Sequence, residues 1–198
     1  MNYQKLLQYF YKFKNALFDN KHEKIDLIIA PTEILVRGIL HPFFFSQSKN
    51  MLKESVFLPP PNSRTVSLNR LRYTNATFCK QHAKTINFPN NIYCGLASIC
   101  VGDVNKISQL IESITVEVIA SPMDIDRNYF NLNNNYKIFV NTPGLPMHCD
   151  LTYDTPIVAR EPNTLHRKMA KELLKATKYY HDEHPLEDIW NGHMPLHT

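Results

Sequence analysis

The sequence predicts an α+β fold: one compact domain over residues 1–185 with a mostly antiparallel or mixed sheet, flanked by an N-terminal and a C-terminal amphipathic helix, and a tail over 186–198. Three observations carry this. Short runs rich in Val, Ile and Leu alternate with helical patterns, but without the regular βαβ rhythm of a parallel sheet. Apolar residues recur at helical spacing near both ends. The 198 residues are 43% hydrophobic, enough chain and apolar surface for one sizeable core.

At the start, Tyr3, Leu6, Leu7, Phe10, Phe13 and Leu17 form an apolar stripe, with Lys5, Lys12 and Lys14 off it. The spacing predicts a helix packed on the core. Ile25–Ala30 and Glu33–Leu40 flank Pro31 and read as two short strands, or one reached through a stiff turn. Pro42 ends pairing there because it has no N–H to donate. The Pro59-Pro60-Pro61 block is a rigid connector. Thr65–Arg70 reads as a strand, and a helix is expected over Asn75–Ile86, capped by Thr74 or Asn75.

Tyr93–Val101 reads as a buried strand, followed by a short helix to Ile111 capped by Asp103. Ile114–Ala120 is a further strand, 121–135 an aperiodic loop, and Tyr136–Val140 and Met147–Tyr153 more strand candidates. A last helix is expected from about Pro162 to Tyr180, with Leu165, Met169, Leu173, Ala176 and Tyr180 as its buried stripe.

The 22 Lys and Arg against 18 Asp and Glu leave a net charge of +4, mildly basic and compatible with a polyphosphate or nucleic-acid ligand. Four cysteines without a Cys-x-x-Cys pair read as free thiols of a cytoplasmic protein. No apolar run approaches the roughly 20 residues of a membrane span, so no membrane association is expected. His181, His184, His193 and His197 cluster late, but Pro185 and the chain end work against rigid ligation, and no metal or other cofactor is expected.

Candidate chemistry lies in three places. In Met147–Tyr153, strand alternation puts His148, Asp150 and Thr152 on one face and Met147, Cys149, Leu151 and Tyr153 on the other. The polar face is either solvated or functional. Arg37, inside the apolar run before His41-Pro42, needs an anionic partner if its strand is central. A carboxylate or a phosphate would serve. Ser67, Arg70 and Arg72 make a cationic strip if their strand continues, with bidentate phosphate donors. Arg37-Gly38 followed by Ser67 resembles the opening of ADP-ribosyltransferase-type folds, but no Gln/Glu-x-Glu motif is present to supply the glutamate that such a resemblance implies.

These patterns give two expectations from different classes. In one, the protein binds a nucleotide or RNA through Arg37, Ser67, Arg70 and Arg72. The ridge of Arg167, Lys171, Lys175 and Lys178 on the last helix then meets phosphate, and metal-independent transfer or cleavage uses His41 and His148, with Asp150 or Thr152 orienting a neighbour. In the other, it is a non-catalytic interaction module docking a protein partner through Phe43, Phe44 and Phe45 and its first helix.

Overall fold

The computed structural model describes residues 23–86, 90–131, 137–155 and 162–194. The N-terminal helix expected at 3–20 lies outside them. The architecture is α+β, with an antiparallel sheet of six strands and three helices among the described residues.

In chain order, β1 is Ile34–His41, β2 Phe45–Ser46, β3 Met51–Leu52, β4 Thr65–Arg70, β5 Ile92–Cys100, β6 Val116–Ala120, β7 His148–Tyr153 and β8 Lys178–His181. Strands β2 and β3 pair only with each other; the remaining six lie in the order β6-β7-β4-β1-β5-β8. Helix α1 is Ala76–Lys84, α2 Val101–Leu110 and α3 Thr164–Lys175. Asparagines open α1 and α3: the Asn75 side chain accepts from Phe78 N and that of Asn163 from His166 N, each satisfying a donor that the first turn leaves over.

Several elements differ from expectation for a physical reason. The first apolar run makes one strand: residues 25–30 run irregularly, and Ile25 is held by donating to Ile138 O. Asp103 does not cap α2, because β5 runs directly into it; Val101 N and Gly102 N donate instead to the carbonyls of Glu33 and Pro31. Phe139 makes one isolated bridge, to Lys24, and Tyr136–Val140 forms no strand among its described residues. The last helix stops at Lys175, not Tyr180. Ala176 and Thr177 bond back to Leu173 and Leu174, and 178–181 pairs with β5 as the sheet's edge.

The sheet forks at its centre. β5 accompanies β1 over its whole length, and β7 accompanies β4 from Thr65 to Asn69, but β1 and β4 pair at only Leu35–Arg70 and Val36–Asn69. Beyond Val36 the two strands separate. Register puts Val36 and Gly38 on the same face as Asn69 and Ser67, and these with His148 and Asp150. Helix α1 presses on that face: a Cβ at Gly38 would lie 2.1 Å from Ala83 Cβ, so only glycine permits the approach. The principal core gathers Leu35, Ile39, Leu68, Leu151, Met169 and Leu173, all essentially inaccessible.

Candidate functional site

The two arginines expected to hold phosphate have different surroundings. Arg70, at the end of β4, is fully buried. Its Nε donates to Glu33 Oε2 and its Nη2 to Glu33 Oε1, each at 2.8 Å, and its Nη1 donates to Asp26 O. The fork fits the carboxylate bidentately. Burial alone would push the Glu33 carboxyl up, but the Arg70 hydrogen bonds, the Ala30 N–H and the arginine charges outweigh it and hold the group below its ordinary value. This pair is structural, and Arg70 has no surface left for a ligand. Arg72 leaves the expected strip as well. It lies on a 3-10 turn, Leu71–Tyr73, half exposed, 3.6 Å from Asp26 and over the Tyr73 ring.

Arg37 has no carboxylate within ion-pair distance among the described residues. Its Nη1 donates to Val56 O, and its guanidinium lies 4.4 Å from the centre of the Phe44 ring. Burial draws its pKa down to about 10, against a small opposing influence of Tyr153. The group stays charged at neutral pH, with one carbonyl and one aromatic face to offset its lost hydration.

Arg37 lines a cavity of about 60 Å³ at the fork, together with Phe44, Ser67, Asn69, His82 and His148. Two of the residues expected to work with Arg37, Ser67 and His148, are therefore brought to it. Asn69 and His82 were not singled out by the sequence. Asn69 repeats the parity of Ser67, which was the available signal; His82 comes from α1, and only packing brings it over the sheet. Asn69 Nδ2 lies 3.3 Å from His82 Nδ1, and its Oδ1 is buried with no partner among the described residues.

Both imidazoles at the cavity are held neutral. Burial lowers His82 to about 3, assisted by the charges of Arg127 and of His148. Burial also lowers His148, opposed by the charge of Asp150 and by its bond to Ser121. His148 Nδ1 lies 2.8 Å from Ser121 O, to which it can only donate, so the neutral ring carries its proton there and Nε2 is the acceptor. His41 is elsewhere: it ends β1, opposite Ile92, with Nδ1 3.2 Å from Phe45 O, and it does not line the cavity.

The polar face of β7 is not solvated. His148, Asp150 and Thr152 are all buried, because β4 and β6 flank the strand and the 121–130 loop covers it. Tyr129 from that loop donates to Asp150 Oδ2 at 3.0 Å, while Asp150 Oδ1 is buried with no partner among the described residues. Beside them opens a cleft of about 300 Å³, lined by Arg64, Thr65, Ser121, Tyr129, Asp150 and Thr152 among others. No periodicity marked Tyr129.

The expected basic ridge loses Lys178 to β8, because the helix stops at Lys175, and what remains on α3 is partly compensated. Arg167 and Lys171 lie 3.6 and 3.5 Å from the carboxylate of Glu54, and Lys175 lies 2.7 Å from Glu172. The aromatic triplet offers little docking surface: Phe44 and Phe45 belong to the core, and Phe43 alone is exposed. Buried thiols are inert packing; burial pushes Cys79 up to about 12 and raises Cys149 further. Among the described residues there is no group of three or more His, Cys, Asp or Glu placed to hold a metal, and no helix long and apolar enough to cross a membrane.

Searched against family models, the chain matches none, and comparisons with curated proteins and with solved structures likewise find no match. The functional reading therefore rests on the chain's own residues.

Proposed function

We propose that the protein binds a phosphate-bearing ligand, a nucleotide or RNA, at the fork between β1 and β4. One observation carries the reading: Arg37, charged and largely buried, is among the residues that line a cavity, and it has no carboxylate partner among the described residues. A volume of about 60 Å³ is roughly the share of two waters in the liquid, room for one small group. Ser67, exposed at the cavity, and the Asn69 amide supply neutral donors, and Arg37 supplies the charge.

Binding rather than turnover is what this geometry favours. An acid–base pair needs one protonated partner. His82 and His148 are both held neutral, and His41 is turned to Phe45 O. A role in transfer or cleavage would need the ligand's own charge to raise one imidazole.

The test is calorimetric titration with inorganic phosphate, 5′-mononucleotides and a short RNA. Saturable binding that Arg37→Met abolishes supports the reading. Wild-type protein that takes up none of the probes, or an Arg37→Met variant that binds them unchanged, overturns it. Loss of RNA binding in Lys171→Glu/Lys175→Glu, with mononucleotide binding intact, would identify RNA as the ligand.

A further inference from the structure

The cleft beside the fork contains a second unsatisfied group of opposite sign. Asp150 is 4% exposed, and its Oδ1 accepts no hydrogen bond among the described residues. An unmet buried carboxylate oxygen is costly, so its position at the wall of an open cleft needs a reason. Its other oxygen accepts the Tyr129 hydroxyl and keeps a second lone pair. The two oxygens together can accept a pair of adjacent N–H donors. Two further features limit the donor. Tyr129, 56% exposed, and Phe130 put aromatic surface into the cleft, which suits a flat ring. Arg64 also lines it, and its charge disfavours a cationic guest such as a guanidinium.

We infer that Asp150 reads the base of a guanine nucleotide, accepting from the ring N–H and exocyclic amine of guanine while Tyr129 covers its face. This rests on the phosphate reading for the ligand's other end. Asp150 faces Ser67 directly across β7 and β4, and Ser67 lines the fork cavity, so the two hollows adjoin at one cross-strand pair. Adenine presents an acceptor where guanine has its ring N–H, and would leave Asp150 facing a lone pair.

Titrations of the full chain with GMP, AMP, guanosine, adenosine, inorganic phosphate and N-acetylarginine amide separate the two ends. GMP should bind about tenfold or more tighter than AMP, the discrimination of one good bidentate pair. Asp150→Asn should erase that preference and leave inorganic phosphate binding as in wild type. Tyr129→Ala, a change at an exposed ring, should weaken guanosine and GMP alike. Equal wild-type affinities for GMP and AMP overturn the inference, as does a GMP preference that survives Asp150→Asn. Asp150-dependent capture of the arginine amide in preference to guanosine also overturns it, in favour of a peptide. If guanosine binds through Asp150 but phosphate does not bind, the phosphate reading fails and the base site stands. Phosphate bound through Arg37 with no purine preference has the opposite meaning.

Discussion

Replacing Arg37 and Arg70 in turn by Met should separate an arginine held for a ligand from one that holds the fold. For Arg37, burial takes the pKa from 12.5 to about 10. Allowing for its remaining solvent contact, this corresponds to a charging penalty of ~2–3 kcal/mol. Against this stand one hydrogen bond from a charged donor to Val56 O, worth about 1.5–3 kcal/mol, and the contact with Phe44, about 0.5–2 kcal/mol. The terms nearly cancel. Methionine at 37 fills much of the same space, so Arg37→Met should lie within about 1 kcal/mol of wild type. Arg70→Met instead strands the Glu33 carboxylate in the core, an error that costs about 3–5 kcal/mol. For a chain of this size that is a fall in Tm of roughly 6–20 °C. Urea unfolding followed by circular dichroism measures both. A loss above 3 kcal/mol in Arg37→Met would show that Arg37 is a structural group, and the argument for a ligand at the fork would fail with it.

Three other outcomes follow from the same surroundings. Glu33 is held below its ordinary pKa when folded, so its contribution to stability is present above the unfolded carboxylate value and is lost as pH falls through the folded one; Glu33→Gln should flatten the acid limb of a stability–pH curve. His82 behaves in the opposite chemical sense but with the same slope: the unfolded ring takes a proton near 6.5 and the folded one only near about 3, so stability declines as pH falls between those values, and His82→Gln should reduce the slope by one proton. Proton exchange or calorimetry that finds no change in either variant would refute the assigned environments. Gly38→Val should lose at least about 1–3 kcal/mol from overpacking, because the Ala83 Cβ already occupies the space; a Tm within 1 °C of wild type would mean that α1 does not sit over β1 as described.

Locally encoded elements were legible in the sequence. The strand-forming runs at 65–70 and 93–101, the alternation in 147–153 and the asparagine at 75 act through nearest neighbours along the chain, and the corresponding strands and helix start form close to where those patterns put them. The end of α3 was not legible. Ala176 and Tyr180 continue its apolar spacing, yet the free edge of β5 offers residues 178–181 backbone partners that a helical turn would forgo. The Phe43–Phe45 run shows the same limit. An aromatic run reads alike whether it faces a partner or the core, and here Phe45 stacks on Tyr179, 134 positions later in the chain.

The sequence by itself marked part of the candidate site: an arginine within an apolar strand, a serine on a second strand, and His148 and Asp150 alternating on a third; Asn69, His82 and Tyr129 it did not mark. It also determined the α+β class, since hydrophobic period is a property of consecutive residues. Only the tertiary structure decided which arginine received the carboxylate. Glu33 lies closer in sequence to Arg37 than to Arg70, but the pairing of Leu35 with Arg70 carries the second guanidinium to it and leaves the first at the fork. Strand order and the point where two strands part arise from contacts between distant segments, and no local pattern along the chain records them.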